Sequence, residues 1–535
     1  MPLSRPSAKQ RTKTYVIAAA TLSILFLYVQ IRSSHSASPS GPRLHSSQIK
    51  PIPDTPYAKT QKDEGLIHQE SLRTSYGPPS PPDPVTVTTT VTATPVVTEV
   101  GNVLSADYGP GPRNDFCEDR FGVDFLSRYA SNHTEFCSGG VSSLQCFYGQ
   151  RGDYAPRPFD YFCVAEGVAV TDGQLQMSCE MSQEKQAEME TFPEYMYWTG
   201  VKKIMDNHFS FSNDASVRSK LQDLQCGSND KRRSDKSTAV LFMRDTGANM
   251  WHSLMEVMVY FMSMDILSIA RDENGDPYFV ENEDTKDLQV IWTDEVAPGP
   301  YSDLWSLFSS KPSIHFDDMD SETSCFDRVI IPLPGHTNPL WEGDWHPLQC
   351  TNSTLLEAFI RRVFRHLHID EPEEKTKEDK LVVTLLDRKK TRQLPDLERF
   401  VDILRTKYPS VDFQLLDLSA TSFVESLAIY RNTDVLVGTH GAGLTGEMFM
   451  TQRKSVVEFI PYHFWHKGFR NLASLLGHRY YSLHGDRAPQ NPEGEEGDWK
   501  RPPVRISEER FMRIMDVAIK AQSNIGVLNH DVDLD

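Results

Sequence analysis

Three groups of residues in this chain carry side chains suited to chemistry. The first is the turn His440-Gly441-Ala442-Gly443-Leu444-Thr445. It follows the apolar, strand-type run 434–438 and leads into 445–450, which reads as helix, and 455–460, a β-branched strand. A turn with so little side-chain bulk lets an anion reach the backbone. The helix start behind it offers N–H groups and partial positive charge. A nucleoside diphosphate is the natural guest, and a close-packed turn with no ligand is the plain alternative. The dinucleotide fingerprint does not match, because only Gly441 and Gly443 fall in G-x-G register.

The second group is Arg388 and Arg392, just past the predicted strand 381–386. The planar guanidinium fork suits phosphate because it binds two oxygens at once; a solvated loop is the alternative. Glu425, in the predicted helix 422–430, is a candidate partner for a ribose or base, or else a surface helix position. The third group is Arg244, Asp245, Asn249, His252 and Glu256. A helix from about residue 249 puts His252 and Glu256, four apart, on one face. Histidine titrates near neutrality, so His252 is a candidate general base with Glu256 to orient it. The alternative is a helix-face hydrogen bond that only shapes a cleft. Asp294 and Glu295 end the predicted strand 289–293 and are further candidate carboxylates, or turn caps. Asp317, Asp318 and Asp320 resemble a metal-binding D-x-D, but no strand flanks them and they read as a solvated acidic turn. No metal ligands are assigned.

These groups need elements to hold them. From 381 onward the pattern is strand 381–386, helix 394–407, strand 411–416, helix 422–430, the glycine-turn unit, helix 465–476 and a closing helix 508–521. Alternation of this kind predicts a parallel sheet covered on both faces, with ligands at the carboxyl ends of its strands. Upstream, strands are predicted at 238–243, 289–293 and 328–333, a hairpin across 161–179 around Thr171-Asp172-Gly173, and an amphipathic helix at 354–367. The charged stretch 371–380 reads as a linker between an amino-terminal lobe, 115–370, and a carboxyl-terminal lobe, 381–535.

Ahead of these lobes, residues 1–14 carry Arg5, Lys9, Arg11 and Lys13, and 15–31 is apolar and free of charge. The pattern predicts a cytoplasmic tail and a single transmembrane signal anchor, with a cleaved signal peptide as the rival. Residues 32–114, rich in Pro, Ser and Thr, read as a disordered stem. The chain has 535 residues and a net charge of −19, which argues against a nucleic-acid partner. Its 8 cysteines include no C-x-x-C pair, which disfavours a zinc ribbon and suits an oxidising compartment. Cys325 with Cys350 is the expected pairing, with the other six bridging among themselves and Cys226 the least certain of them. Sequons at Asn132 and Asn352 predict N-glycosylation in the same compartment.

The string RNTDVLVGTHGAGLT resembles the signature of glycosyltransferase family 61, the family of plant β-xylosyltransferases and EGF-domain O-GlcNAc transferases. RDTGANMWHSLME is similar to that family's arginine–asparagine–histidine block, and Cys117, Cys325 and Cys350 to its cysteine positions. The family pattern departs at Gly446, where Asn or His is usual, and at Ser310-Lys311-Pro312, where the EGF-directed enzymes carry acidic residues. The resemblance implies a GT-B-like pair of Rossmann-like lobes around a cleft. It also implies inverting transfer from a UDP-sugar, UDP-GlcNAc or UDP-xylose, to a protein or glycan hydroxyl. Such transfer needs a base for the acceptor and positive charge for the departing diphosphate. Arg388, Arg392 and the turn supply that charge, with Arg244, Asp245 and Asn249 on the acceptor side. Mn²⁺ is expected at most to stimulate. The expected setting is a type II protein of the Golgi or endoplasmic reticulum membrane. A non-catalytic sugar- or nucleotide-binding protein and a stalk-mounted interaction protein are the readings of a different class.

Overall fold

The computed structural model describes Leu104, Asp107, Tyr108 and residues 114–150, 159–171, 173–195, 199–224, 237–319, 325–341, 344–370, 379–486, 499–524 and 532–533. The predicted tail, anchor and all but four residues of the stem lie outside them, as does most of the linker. Among the described residues no helix is long and apolar enough to cross a membrane.

The first sheet contains β1 (His133–Cys137), β2 (Ser143–Gly149), β3 (Asp160–Thr171), β4 (Gln174–Met177), β5 (Phe209–Phe211), β6 (Thr238–Phe242), β7 (Leu288–Trp292), β8 (Ile314–His315) and β9 (Cys325–Ile331). Its main order is β1-β2-β3-β9-β6-β7-β8. From β9 through β6 and β7 to β8 the pairing is parallel; from β1 to β9 it is antiparallel. β3 and β4 form the hairpin predicted around Gly173, which sits at φ +71°.

The second sheet contains β10 (Leu381–Leu386), β11 (Val411–Leu416), β12 (Val435–Thr439), β13 (Ser455–Ile460), β14 (Arg479–His484) and β15 (Val532–Asp533). The order is β11-β10-β12-β13-β14-β15 and every pairing is parallel. β12, β13 and β14 are buried along their whole length, as strands covered on both faces must be. Helices Leu397–Lys407, Phe423–Asn432, Gly468–Leu475 and Glu508–Ala521 alternate with the strands. The predicted strands of this lobe fall within one residue of the observed ones. β14, which begins and ends with basic side chains, was not foreseen.

Strand order fixes where ligands can sit. The chain leaves β10 in one direction to β11, then resumes on the other side with β12. A crevice opens at such a reversal, outside the carboxyl ends of the strands. The loops after β10 and β12 carry Arg388, Arg392 and the glycine turn. In the first sheet β6 plays the same part, with β7 on one side and β9 on the other. The loop after β6 carries Arg244, Asp245 and Asn249.

Helix Met250–Ile269 stands between these two sheets. Seventeen of its 20 residues are buried. A helix apolar on nearly all sides must be enclosed, and its core includes Val240 and Phe242 of β6 together with Leu436 of β12 and Tyr480 of β14. The two lobes therefore share a core.

The cysteine pairing differs from expectation. Cys350 bonds Cys117, 233 residues away, while Cys137 bonds Cys179 and Cys146 bonds Cys163. Cys325 is also disulfide-bonded, but not to Cys350. Proximity in sequence misled, because Cys325 opens β9 beside Ala169 of β3, inside the sheet. Cys350 instead lies next to helix Asp115–Phe121, where Ser353 Oγ donates to the Phe121 carbonyl.

Candidate functional site: an arginine-lined glycine turn and a histidine–aspartate pair

Arg388 and Arg392 lie directly on the glycine turn. A Cβ built on Gly441 would stand 2.4 Å from Arg388 Nη1 and 3.3 Å from Arg392 Cζ. Gly441 also has φ +149°. Glycine is thus required here for the close approach of a guanidinium. Arg388 is held by Thr391, whose carbonyl accepts from Nε at 2.9 Å. Arg392 has left-handed backbone, φ +50°, and Thr439 Oγ1 donates to its carbonyl at 2.7 Å. Its guanidinium lies 5.2 Å from the Trp499 ring centre, and its Nε is buried without a partner. Neither arginine has a carboxylate partner among the described residues. Burial and the neighbouring Arg388 hold Arg392 down to about 10, and burial lowers Arg388 as well. Two half-buried cations side by side make a site that an anion would relieve.

His440 sits behind this pair. Its backbone N–H donates to the Phe459 carbonyl, and its Nδ1 donates to Glu458 Oε1 at 2.5 Å. Tyr480 Oη donates to the other oxygen of Glu458. Phe464, Phe469 and Trp499 surround the imidazole at 4.7, 5.3 and 5.5 Å between ring centres. Burial lowers its basicity, and Glu458 works against that. Ala442 and Gly443 are the half-exposed members of the turn; Leu444 and Thr445 point into the core. The segment Ala442–Phe449 is a 3-10 helix, where an α-helix was expected from 445. Its Leu444 N–H already bonds the Gly441 carbonyl, three residues back.

Glu425 does not face this site. It is exposed, and Oε2 accepts from the Ser422 N–H at 3.0 Å and Oγ at 2.7 Å, closing a capping box. A residue three places after Ser422 at a helix start is a cap by position.

At the other crevice, the Asn249 side chain caps the long helix, accepting from the N–H groups of Trp251 and His252 at 3.1 and 3.4 Å. His252 Nδ1 donates to Asp245 Oδ2 at 2.5 Å. The carboxylate that orients His252 is therefore Asp245, where Glu256 was expected. Glu256 is buried, and its Oε1 accepts from the Asp245 N–H at 2.7 Å. Burial, then the Asp245 charge, raises its pKa well above the usual range, and its carboxyl braces the loop through the Asp245 N–H. Asp294 is also committed. It takes Arg244 Nη2 at 2.8 Å and the Arg244 N–H at 2.6 Å, while that guanidinium lies 3.7 Å from the Trp292 ring centre. Glu295 neighbours this ion pair on the loop after β7.

Several participants carry no motif. Trp341, after β9, lies 4.6 Å from the His252 ring. Ring contacts then run from Trp341 to Trp251, to Phe469 and to His440 at 6.4, 5.8 and 5.3 Å, joining the two groups. Glu458 did leave a signal, as a lone carboxylate inside the apolar strand SVVEFI. A buried charge demands a partner, and β12–β13 register sets Glu458 beside Gly438, two residues before His440.

Residues 250–457 match the family model of glycosyltransferase 61. An EGF domain-specific O-linked N-acetylglucosamine transferase of Drosophila melanogaster is 30% identical over 204 residues, 36% of this chain and 37% of that protein. Those of Rattus norvegicus and Mus musculus are each 28% identical over 233 residues, 41% of this chain and 40% of theirs. The chain thus spans about two fifths of the length of these relatives. The matched span runs from the start of the long helix to β13 and holds His252, both arginines and the turn. Over residues 250–457 the chain is thus similar to the glycosyltransferases of family 61.

Proposed function

We propose that the protein is an inverting transferase that moves a sugar from a UDP-sugar to a hydroxyl, most simply GlcNAc to Ser or Thr of a secreted protein, with β-xylosyl transfer to a glycan as the alternative. The supporting observation is the pair Arg388 and Arg392, with no ion-pair partner among the described residues, on the Gly441 turn at the reversal point of a parallel sheet. The two sheets around their crevices fit the GT-B arrangement.

In this reading the diphosphate lies against the arginines and the turn, whose fixed charges stabilise it as it departs. Nδ1 of His252 donates to Asp245, which leaves Nε2 as the basic nitrogen. Nε2 takes the acceptor hydroxyl proton as the oxygen bonds the anomeric carbon and the bond to the UDP oxygen breaks. Asp245 stabilises the imidazolium so formed. Direct displacement inverts the anomeric centre. Because arginines supply the charge, activity should survive EDTA, with at most partial stimulation by Mn²⁺. Complete loss restored by Mn²⁺ would overturn this. The proposed setting is lumenal, behind an anchor at 15–31, with glycans on Asn132 and Asn352.

UDP release from UDP-GlcNAc and UDP-xylose, with peptide and glycan acceptors, tests the reading. UDP binding without turnover on any pair would favour a non-catalytic sugar-nucleotide binder.

A further inference from the structure

The glycine turn has a support that none of its own residues provides. Tyr430, on helix Phe423–Asn432, is fully buried beneath it. Its hydroxyl donates to the Gly443 carbonyl at 3.0 Å. Its ring occupies the space in front of Gly446: a Cβ built there would stand 2.0 Å from Tyr430 Cζ and 2.2 Å from Cε1. Real Cβ atoms do not come that close, and a ring enclosed on all sides has nowhere to move. Gly446 has no positive φ to justify it. It is glycine because the tyrosine fills its side-chain position.

We infer that Tyr430 is a positioning residue of the nucleotide site, holding the Gly441–Leu444 backbone in the form that receives the diphosphate. The inference rests on the nucleotide reading given above. The mechanism is local. Gly443 is half-exposed and flexible by composition, and a side chain there would crowd Leu418 and Leu386 at 3.0 and 3.2 Å. Fixing its carbonyl fixes the peptide plane that leads into Leu444. The turn then meets the phosphate already ordered, and the entropy of ordering it is not charged against binding.

Tyr430→Phe removes the hydroxyl and keeps the ring. It should fold as wild type by thermal melting. UDP affinity, by calorimetry, should fall about 3- to 10-fold, the range for one neutral hydrogen bond, and donor KM should rise in step while kcat moves less. Gly446→Ala should lose more of both affinity and stability, and Tyr430→Leu in the same chain should restore part of each by clearing the clash. Wild-type UDP affinity in Tyr430→Phe, or Gly446→Ala behaving the same with and without Tyr430→Leu, would overturn the assignment. Failure of the wild-type protein to bind UDP would instead overturn the nucleotide reading on which it rests.

Discussion

The molecule holds two sets of arginines, one buried and one half-buried, in different ways. In the amino-terminal part they are neutralised. Arg362 meets Asp265 at 2.7 and 2.8 Å and Asp107 at 3.0 Å, and Arg244 meets Asp294 at 2.8 Å. In the carboxyl-terminal part Arg388 and Arg392 have each other, a threonine and a tryptophan. The first arrangement has all its charge supplied from within. The second has no ion-pair partner among the described residues, and of the negative charges only that of Glu458 acts on Arg392. Arginine burial alone is therefore not a mark of function.

The largest effect expected from this contrast is structural. Arg362→Met leaves Asp265 buried without its cation, while Asp107 keeps Arg365 at 2.6 Å, and should cost about 3–5 kcal/mol in denaturant unfolding. A change below about 1 kcal/mol would show that the cluster is more hydrated than its burial indicates.

His252→Ala and Asp245→Asn come next. Both should lower turnover, His252→Ala by about 10²-fold or more, with UDP affinity near wild type. Full turnover in His252→Ala would remove it as the base. Asp294 would not inherit the role readily, since Arg244 holds it.

Arg392→Ala should do the reverse, weakening UDP binding by roughly 10- to 150-fold, the loss of one charge-assisted contact. It should leave stability unchanged or slightly higher, because no carboxylate is orphaned. A large drop in stability would erase the contrast between the two regions.

The smallest effect concerns Glu447, fully buried with neither oxygen partnered, its pKa raised well above the usual value first by burial and then by Glu458. A folded-state pKa above the unfolded one means that the folded form binds the proton more tightly. Glu447 therefore subtracts increasing stability as pH rises from the unfolded carboxylate range, about 4.3, toward its folded value. Glu447→Met should stabilise by about 1–3 kcal/mol, and by more at pH 8 than at pH 5. Equal gains at both pH values would place the ionisation elsewhere.

Much of the carboxyl-terminal lobe is legible because its strands are buried on both faces and read as apolar runs. Ser455–Ile460 and Leu381–Leu386 were bounded to the residue. The turn and its arginines were legible as residue types that accept phosphate. What could not be read was pairing through space. His252 lies seven residues from Asp245 and four from Glu256, and helix periodicity favoured the nearer; the capping turn at Asn249 folds the loop back and delivers Asp245. Cys117 and Tyr430 were missed similarly, since their partners are set by packing between elements. Glu425 stood open between a ligand partner and a surface helix position because a capping carboxylate and a ligand-binding one look alike in sequence; it takes the surface position.

The Cys117–Cys350 bond has a consequence in time. At about 5–20 residues per second, a ribosome needs roughly 12–47 s to add the 233 residues between these cysteines. Cys137–Cys179 and Cys146–Cys163 span 42 and 17 residues and lie wholly inside that interval. Both can close while Cys117 still waits as a thiol. A chain that oxidises too quickly risks trapping Cys117 with one of those earlier partners. Its yield in a cell should then depend on disulfide isomerase activity more than on oxidant supply.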